Sequence, residues 1–531
     1  MELKILSKCN YWLLAILSVF VAGIITQIYM MLNFDVSWLM KVTNKLLNGG
    51  HYYTDFIETN PPLILYIYTP AVFLAKIFHI GFNLAFKTYT FIVAIGSLYL
   101  CNILMRDIFS NADKYIRYAL LIAISFVFIL MPGYSFGERE HFALMLTLPY
   151  LFLLDLRLSN KSINFYLILL IGIMAGFGFA IKPYFLFTLI ACELYFMYKR
   201  RNLFACIRSE TVIIGAFILI YLSSIFIFNS NYLYKVFPLV YRLYFVAVKA
   251  PIRLVLLQGT IIFWLVALGV YFLFYEKLRY RSLATILIFA SMGYLISYLI
   301  QHNTWYYHLL PTLAIATMLM ILLMGEKISD MVAKYKFGIR WFDIILLVLL
   351  SIFIVISPII DTAVHIRTGI LTSKHMRTNN LFQYVKRNAY KQSIYVFDDR
   401  IIMVSGLVDF AHATSASRFP SQLFMPGIEW LSNMPHLSKT RKKQLAKDKK
   451  EITNIVVADL QKYKPKLILE NISKINLPPN RKHFDFIRFF SKDSRFRKLF
   501  KSYKYITTLS GMAIYMHKDY MHKTISHGGG K

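Results

Sequence analysis

The chain has 531 residues, 57% of them hydrophobic and 16% aromatic, with a formal net charge of +32. Apolar stretches of about 17 to 23 residues recur along it, the length that spans the hydrocarbon of a bilayer, so the lysines and arginines between them report membrane topology and argue against nucleic acid as a partner. The four cysteines, Cys9, Cys101, Cys192 and Cys206, have no metal-type CxxC spacing and imply no disulfide framework.

The N-terminal "MELKILSKCNYWLLAILSVFVAGIITQIYM" has a basic flank, an apolar stretch of about 20 residues and no small-x-small cleavage site, which predicts a retained first helix. Further spans are expected near 84–105, 117–132, 142–157, 162–180, 183–198, 210–228, 253–275, 282–300, 308–325 and 342–360, about eleven in all with 11–32. With the N-terminus in the cytoplasm, the even-numbered connections "MRDIFSNADKYIR", "LRLSNKS", "YKRRNLFACIR", "YEKLRYRS" and "GEKISDMVAKYKFGIR" lie inside, and every one is basic. The segment from Pro61 to Ile80 reads as two short amphipathic helices in the outer interface, started by Pro61 and Pro62 and interrupted at Pro70; counting it as a span would put the basic loops outside. Residues 33–80 therefore form a folded outer loop. Beyond residue 361 the spans stop, and the short β-rich runs "QSIYVFDD", "KPKLILEN" and "YKYITTLSGMAIYM" alternate with helical stretches, predicting a soluble extracytoplasmic α/β domain over 361–531. Its run "TRKKQLAKDKK" reads first as a solvated helix face and second as a contact for anionic headgroups or an anionic glycan. This domain has no cysteine and one weak glycosylation pattern, Asn471-Ile472-Ser473, which favours a bacterial inner membrane over the endoplasmic reticulum. The expected architecture is a polytopic α-helical membrane domain, 1–360, followed by that α/β domain.

Polar chemistry gathers in the outer connections, whereas the middles of the spans are nearly free of acids, which argues against a proton-coupled transporter. The first outer loop carries Asp35, His51, Asp55, Glu58 and Asn60; the second, "MPGYSFGEREHF", carries Glu138, Arg139, Glu140 and His141. Lys182 of "IKPYF" and the loop "QHNTWYYHLLP", with His302, Tyr306 and His308, stand at two further outer ends. Each residue has a plainer role available. Asp35 would N-cap the helix that Gly49 and Gly50 end, Asp55 would close a turn, and Glu58 and Asn60 would cap an interfacial helix. The three charges 138–140 would pair among themselves, Lys182 would snorkel, and the His and Tyr residues would sit in an aromatic belt. Carboxylates, cations and aromatics at the outer lipid boundary also suit sugar transfer from a polyprenyl phosphate: a carboxylate takes the proton of an acceptor hydroxyl, and Arg or Lys holds the departing phosphate.

An Asp shortly after the first helix, a "LL-x-G" helix, "Y-x-D-F-x-E", a "PPL" helix and an acidic second outer loop together resemble the glycosyltransferase-C superfamily, and within it the family of the lipid A aminoarabinose transferase and the protein O-mannosyltransferases. The similarity covers the order of elements over most of residues 1–360. It implies a sugar donor linked to polyprenyl phosphate, a lipid, glycan or protein acceptor on the outer face, and Asp35 as catalytic base or acceptor-orienting group. The second-loop carboxylate falls at Glu138 or Glu140. Glu58 matches an acidic position that helps hold a divalent metal, with His302 as a metal or donor contact, while Lys182 corresponds to a phosphate-meeting lysine. Asp55, Asn60, Arg139 and Tyr306 complete the expected substrate contacts. Thr59 and Asn60 stand where relatives carry a phosphate-contacting lysine, a departure from the pattern. The rival classes are a lipid-linked glycan flippase, which needs a polar path through the spans, and a surface-polysaccharide ligase, which needs its chemistry in a late loop.

Overall fold

The computed structural model describes residues 10–334, 341–473 and 484–521, so the basic flank before the first helix lies outside the described residues. The chain forms two compact units. One comprises Met1–Asn33, Pro70–Ser223 and Ala250–Ile370; the other comprises Phe34–Thr69, Ser224–Lys249 and Leu371–Lys531.

The first unit is helical. Seven described helices are long and apolar enough to cross a membrane: Tyr11–Tyr29, Phe82–Ile108, Arg139–Leu158, Ser209–Phe228, Gly259–Lys277, Arg281–Gln301 and Tyr306–Met331. Helices also stand at the other four expected positions, as Lys114–Ile129, Phe165–Ala180, Leu186–Arg200 and Trp341–Thr378. The first three have only 15 or 16 residues, short of the 20 or so that span hydrocarbon unaided, so the count of eleven crossings is not established. Burial divides centre from rim. The apolar windows of Arg139–Leu158 and Tyr306–Met331 are 83% and 89% buried, against 11% for Tyr11–Tyr29 and 17% for Ser209–Phe228. Small residues allow the central helices to approach closely: a Cβ on Gly293 would lie 2.4 Å from the Thr188 Cα, which places helices Arg281–Gln301 and Leu186–Arg200 in backbone contact.

The expected pair of interfacial helices is instead one helix, Leu63–Ile77, with Pro70 inside it. A proline in a helix interior removes one N–H and crowds the carbonyl four residues back, but the run "LILYIYTPAVFLAKI" is apolar throughout, and packing carries the helix through the defect.

The second unit contains a five-stranded sheet of order β2-β1-β3-β5-β4, with β1 at Ser393–Phe397, β2 at Thr414–Ser415, β3 at Leu467–Asn471, β4 at Tyr503–Leu509 and β5 at Met512–His517. Strand β1 is parallel to both β2 and β3, in register Ile394 to Leu467, and β5 is antiparallel to β3 and β4. Every residue of β3 is buried, as expected of a central strand covered on both faces. The α/β expectation for this segment therefore holds, with β2 as the strand that a two-residue signal could not announce. Helix Lys439–Tyr463 turns Leu445, Ile452, Val456 and Leu460 inward at helical spacing. It starts where the Ser438 hydroxyl accepts from the Arg441 N–H and ends at Lys464, φ 39°, just before Pro465. Residues 232–247, which carried no expected element, are helical with two five-residue π turns, Tyr232–Val236 and Val240–Tyr244.

Candidate functional site

In the helical unit the connection before helix Arg139–Leu158 is built to present charge. Gly137 adopts φ +83°, and a Cβ there would lie 2.2 Å from the Phe86 Cε1, so only glycine fits. Its N–H donates to His141 Nδ1 at 2.9 Å, and His141 Nε2 lies 2.8 Å from the Phe128 carbonyl, which holds His141 in one tautomer as a structural brace. Helix Arg139–Leu158 starts directly after this turn, with Glu138 as N-cap residue and Glu140 in the first turn, where the helix dipole favours a carboxylate.

Glu140 Oε1 lies 2.6 Å from Lys182 Nζ and 2.5 Å from His308 Nδ1. All three residues are buried, at 0%, 6% and 4% exposure, so the charges must answer one another. Lys182 is delivered by its place before Pro183, which requires the extended conformation it has, φ −133° and ψ 139°. Its ammonium also donates to Gln301 Oε1 at 3.1 Å. Burial pulls the Lys182 pKa down and the Glu140 charge opposes this. Arg139 pairs with Glu138 at 3.2 Å, and its guanidinium lies 5.5 Å from the centre of the Tyr307 ring, with the Lys182 ammonium 5.8 Å from the same ring. Two buried cations thus share one aromatic ring. Glu140 Oε2 and His308 Nε2 are buried without a hydrogen-bond partner among the described residues, leaving polar capacity at this cluster. The arrangement suits receipt of an anion by Lys182 and Arg139. Glu140, engaged by two donors on one oxygen, is suited to orienting Lys182.

Two further expected residues of this unit make other contacts. His302 is the left-handed C-cap of helix Arg281–Gln301, φ 52°, and its carbonyl accepts from the Ala250 N–H at 2.9 Å. The Tyr306 hydroxyl donates to the Met131 carbonyl at 3.1 Å, and its ring stacks on His365, which lies 3.8 Å from Asp361. Asp361 lines a largely apolar cavity of about 530 Å³, together with Thr260, Phe263, Leu313, Phe353 and Ile360. None of the Glu140 cluster lines this cavity.

Of the expected loop 33–80, residues Phe34–Thr69 belong to the other unit. Helix Phe34–Leu47 contains Asp35 in its first turn rather than at the cap position, since the helix begins one residue earlier; the carboxylate is partly exposed. The helix ends where Gly49 takes φ +82° and the Gly50 N–H returns to the Lys45 carbonyl at 2.9 Å. Three residues after Asp35, Trp38 Nε1 donates to Glu58 Oε2 at 2.6 Å. Glu58 Oε1 accepts from the Asn60 N–H at 2.7 Å and from Asn60 Nδ2 at 2.5 Å. Glu58 and Asn60 therefore lock the turn that precedes Pro61. Asp55 closes another turn: burial pushes its carboxyl up, but bonds from the His51 N–H and the Thr54 hydroxyl, with Lys462 3.7 Å away, hold it below the usual carboxylate range.

The expected metal does not fit these residues. Both Glu58 oxygens, nearly excluded from solvent, accept from fixed donors, and among the described residues no group of three or more His, Cys, Asp or Glu side chains gathers as a metal site would require. Sequence reasoning passed over Gln301 and Tyr307, and it named His308 among the loop's polar residues without giving it a role in the site. Only the aromatic, His-containing loop hinted at them, because nothing in the spacing marks His308 over His302 as the partner of Glu140.

No protein-family profile matches the chain, and no curated protein matches it. Solved structures do. ArnT from Cupriavidus metallidurans bound to undecaprenyl phosphate superposes with a TM-score of 0.54 at 8% identity, over 95% of this chain and 98% of that one. The same protein in its apo state gives 0.53 at 8% identity with the same coverage. The chain has the fold of ArnT over nearly its whole length, in agreement with the glycosyltransferase-C resemblance carried by its short motifs.

Proposed function

We propose that the protein is an integral-membrane glycosyltransferase that moves a sugar from a polyprenyl-phosphate donor to a lipid, glycan or protein acceptor at the outer face of a bacterial plasma membrane. The observation that carries this reading is the likeness, over 95% of the chain, to a structure crystallised with undecaprenyl phosphate. The buried Lys182 and Arg139, placed over Tyr307 beside Glu140, supply what a leaving phosphate needs. The cavity beside Asp361 offers apolar volume suited to a stretch of lipid chain.

In the reaction, the acceptor hydroxyl gives its proton to a carboxylate, its oxygen bonds to the anomeric carbon, and the carbon–oxygen bond to phosphate breaks with the electron pair leaving on phosphate. Attack opposite the leaving group inverts the anomeric centre. The base is assigned to Asp35, which stands partly exposed in the first turn of helix Phe34–Leu47. Glu138 and Glu140 are assigned the holding of Arg139 and Lys182 toward the phosphate. The test is transfer from radiolabelled polyprenyl-phosphate sugars into a membrane extract by the purified chain. Asp35→Asn is expected to lower turnover by about 10²–10⁴-fold with the protein still folded. Unchanged turnover would remove Asp35 from the role, and no labelled product from any donor would remove the reading.

A further inference from the structure

In the segment 371–521, exposed charge has essentially one sign. Among its described residues twenty-one lysines and arginines are exposed, against two exposed carboxylates, Asp485 and Asp519. Most of the other acids are engaged by named partners: Asp448 pairs with Arg242 at 2.8 Å, Asp459 with Arg418 at 2.6 Å, Asp398 with Arg400 at 2.8 Å and Asp493 with Arg495 at 2.7 Å, while Glu470 accepts from the Ile487 N–H. A solvated surface needs no such sorting, because mixed signs keep a protein soluble equally well.

The cations are also ordered. Along helix Lys439–Tyr463, Lys439, Lys443, Lys447 and Lys450 follow one another at spacings of three and four, with Lys442 beside them, and all five are exposed. At 1.5 Å rise per residue this is a straight row roughly 16 Å long, opposite the face that buries Leu445 and Ile452. No salt bridge among the described residues reaches these five. The intervening acids are used elsewhere, Asp448 with Arg242 and Glu451 with the Tyr53 hydroxyl. The row continues onto a second element. Arg495 Nη2 donates to the Asn454 side chain at 2.6 Å, one turn beyond Lys450, which sets this element beside the row although the Arg495 charge is answered by Asp493 at 2.7 Å; Lys492 is close enough to Lys449 to add to the effect of burial in pulling that ammonium's pKa down.

We propose that this row, with Lys492, is a binding surface for an extended polyanion, specifically an acidic glycan bearing phosphate, sulfate or carboxylate groups at regular intervals. A straight line of cations about 6 Å apart matches repeating anionic groups on a stretched polymer. The bilayer is the less suited partner, since a surface-lying helix inserts Trp, Phe or Leu between headgroups, and here the apolar face is spent within the protein's own unit. The surface is independent of the transfer chemistry, so it stands or falls separately from the transferase reading.

The experiment uses the full chain in nanodiscs of zwitterionic lipid, titrated with a fluorescein-labelled heparin oligosaccharide as the acidic-glycan probe and neutral dextran as control. The wild type is expected to bind the heparin probe and not dextran, with affinity falling steeply as salt rises. The variant K442Q/K443Q/K447Q/K450Q is expected to bind at least about tenfold more weakly, while K374Q/R377Q/K386Q/R387Q, which loses the same charge from exposed positions elsewhere in the segment, stays within about twofold. Equal losses in the two variants would reduce the effect to net charge and overturn the proposal, as would no binding by the wild type. In nanodiscs containing anionic lipid, headgroup cross-linking that depends on the row while heparin binding does not would assign the face to the bilayer, again overturning it.

Discussion

At the scale of single residues, the Glu140–Lys182–His308 cluster is where charge and burial conflict most. Removing one member of a buried pair leaves an uncompensated charge, at a cost of about 3–5 kcal/mol, whereas replacing both by neutral groups of similar size is often nearly neutral. Glu140→Gln and Lys182→Met are therefore each expected to lower stability strongly, and the double variant to recover much of the loss, in a double-mutant cycle read by thermal inactivation in detergent. Losses that simply add would indicate that the two side chains do not depend on each other. If Lys182 receives the donor phosphate, the stable double variant should also show a raised KM for the polyprenyl-phosphate sugar. Glu58 illustrates the opposite outcome for a residue singled out early. Its carboxylate is bound up with Trp38 and Asn60, and that involvement depends on a tryptophan 20 positions upstream that no acidic motif includes.

At the scale of elements, close helix contacts and buried strand acids make separate predictions. A methyl group at Gly293 would meet the Thr188 backbone, which cannot rotate away, so Gly293→Ala should destabilise the helical unit by about 1–3 kcal/mol. Gly96→Ala is the matched control: its added Cβ meets nothing within 4 Å, and replacing a helical glycine should be neutral or gain up to about 1 kcal/mol. Retained thermal stability in both variants would contradict the contact. In strand β3, burial pushes the Glu470 carboxyl up to about 7, with the bond from the Ile487 N–H opposing and the nearby Asp485 charge adding to it. The folded state then keeps a proton that the unfolded chain has released, so stability falls as pH rises from about 4.5 to about 7 and levels beyond, by on the order of 3 kcal/mol. Hydrogen-exchange protection of β3 and β5, corrected for intrinsic rates, should drop over that window in the wild type and stay flat in Glu470→Gln. Helix Leu63–Ile77 shows how far local rules reach: Pro70 announced a break, and the apolar run on either side of it prevailed.

At the scale of the whole molecule, the basic connections predict sidedness. In a cysteine-free background, Lys161→Cys should be labelled by an impermeant reagent only after permeabilisation, and Thr304→Cys should be labelled in intact cells; both positions are exposed. Labelling of both from one side would contradict the proposed orientation. The fold is shared with ArnT at 8% identity, so it rests on helix lengths and apolar faces rather than on particular residues. By itself the sequence determined the membrane-spanning class, the places of the main helices, the strands β1, β3, β4 and β5, and the list of polar residues between spans, because length and hydrophobic period are local properties. Only the tertiary structure decided that segments 34–69 and 224–249 join 371–531 in one unit, that Glu140 answers Lys182 and His308, 42 and 168 residues away, and that Glu58 is committed to its own turn. A charge in a sequence shows its sign and not its partner; the partner is selected by which side chains are excluded from water together.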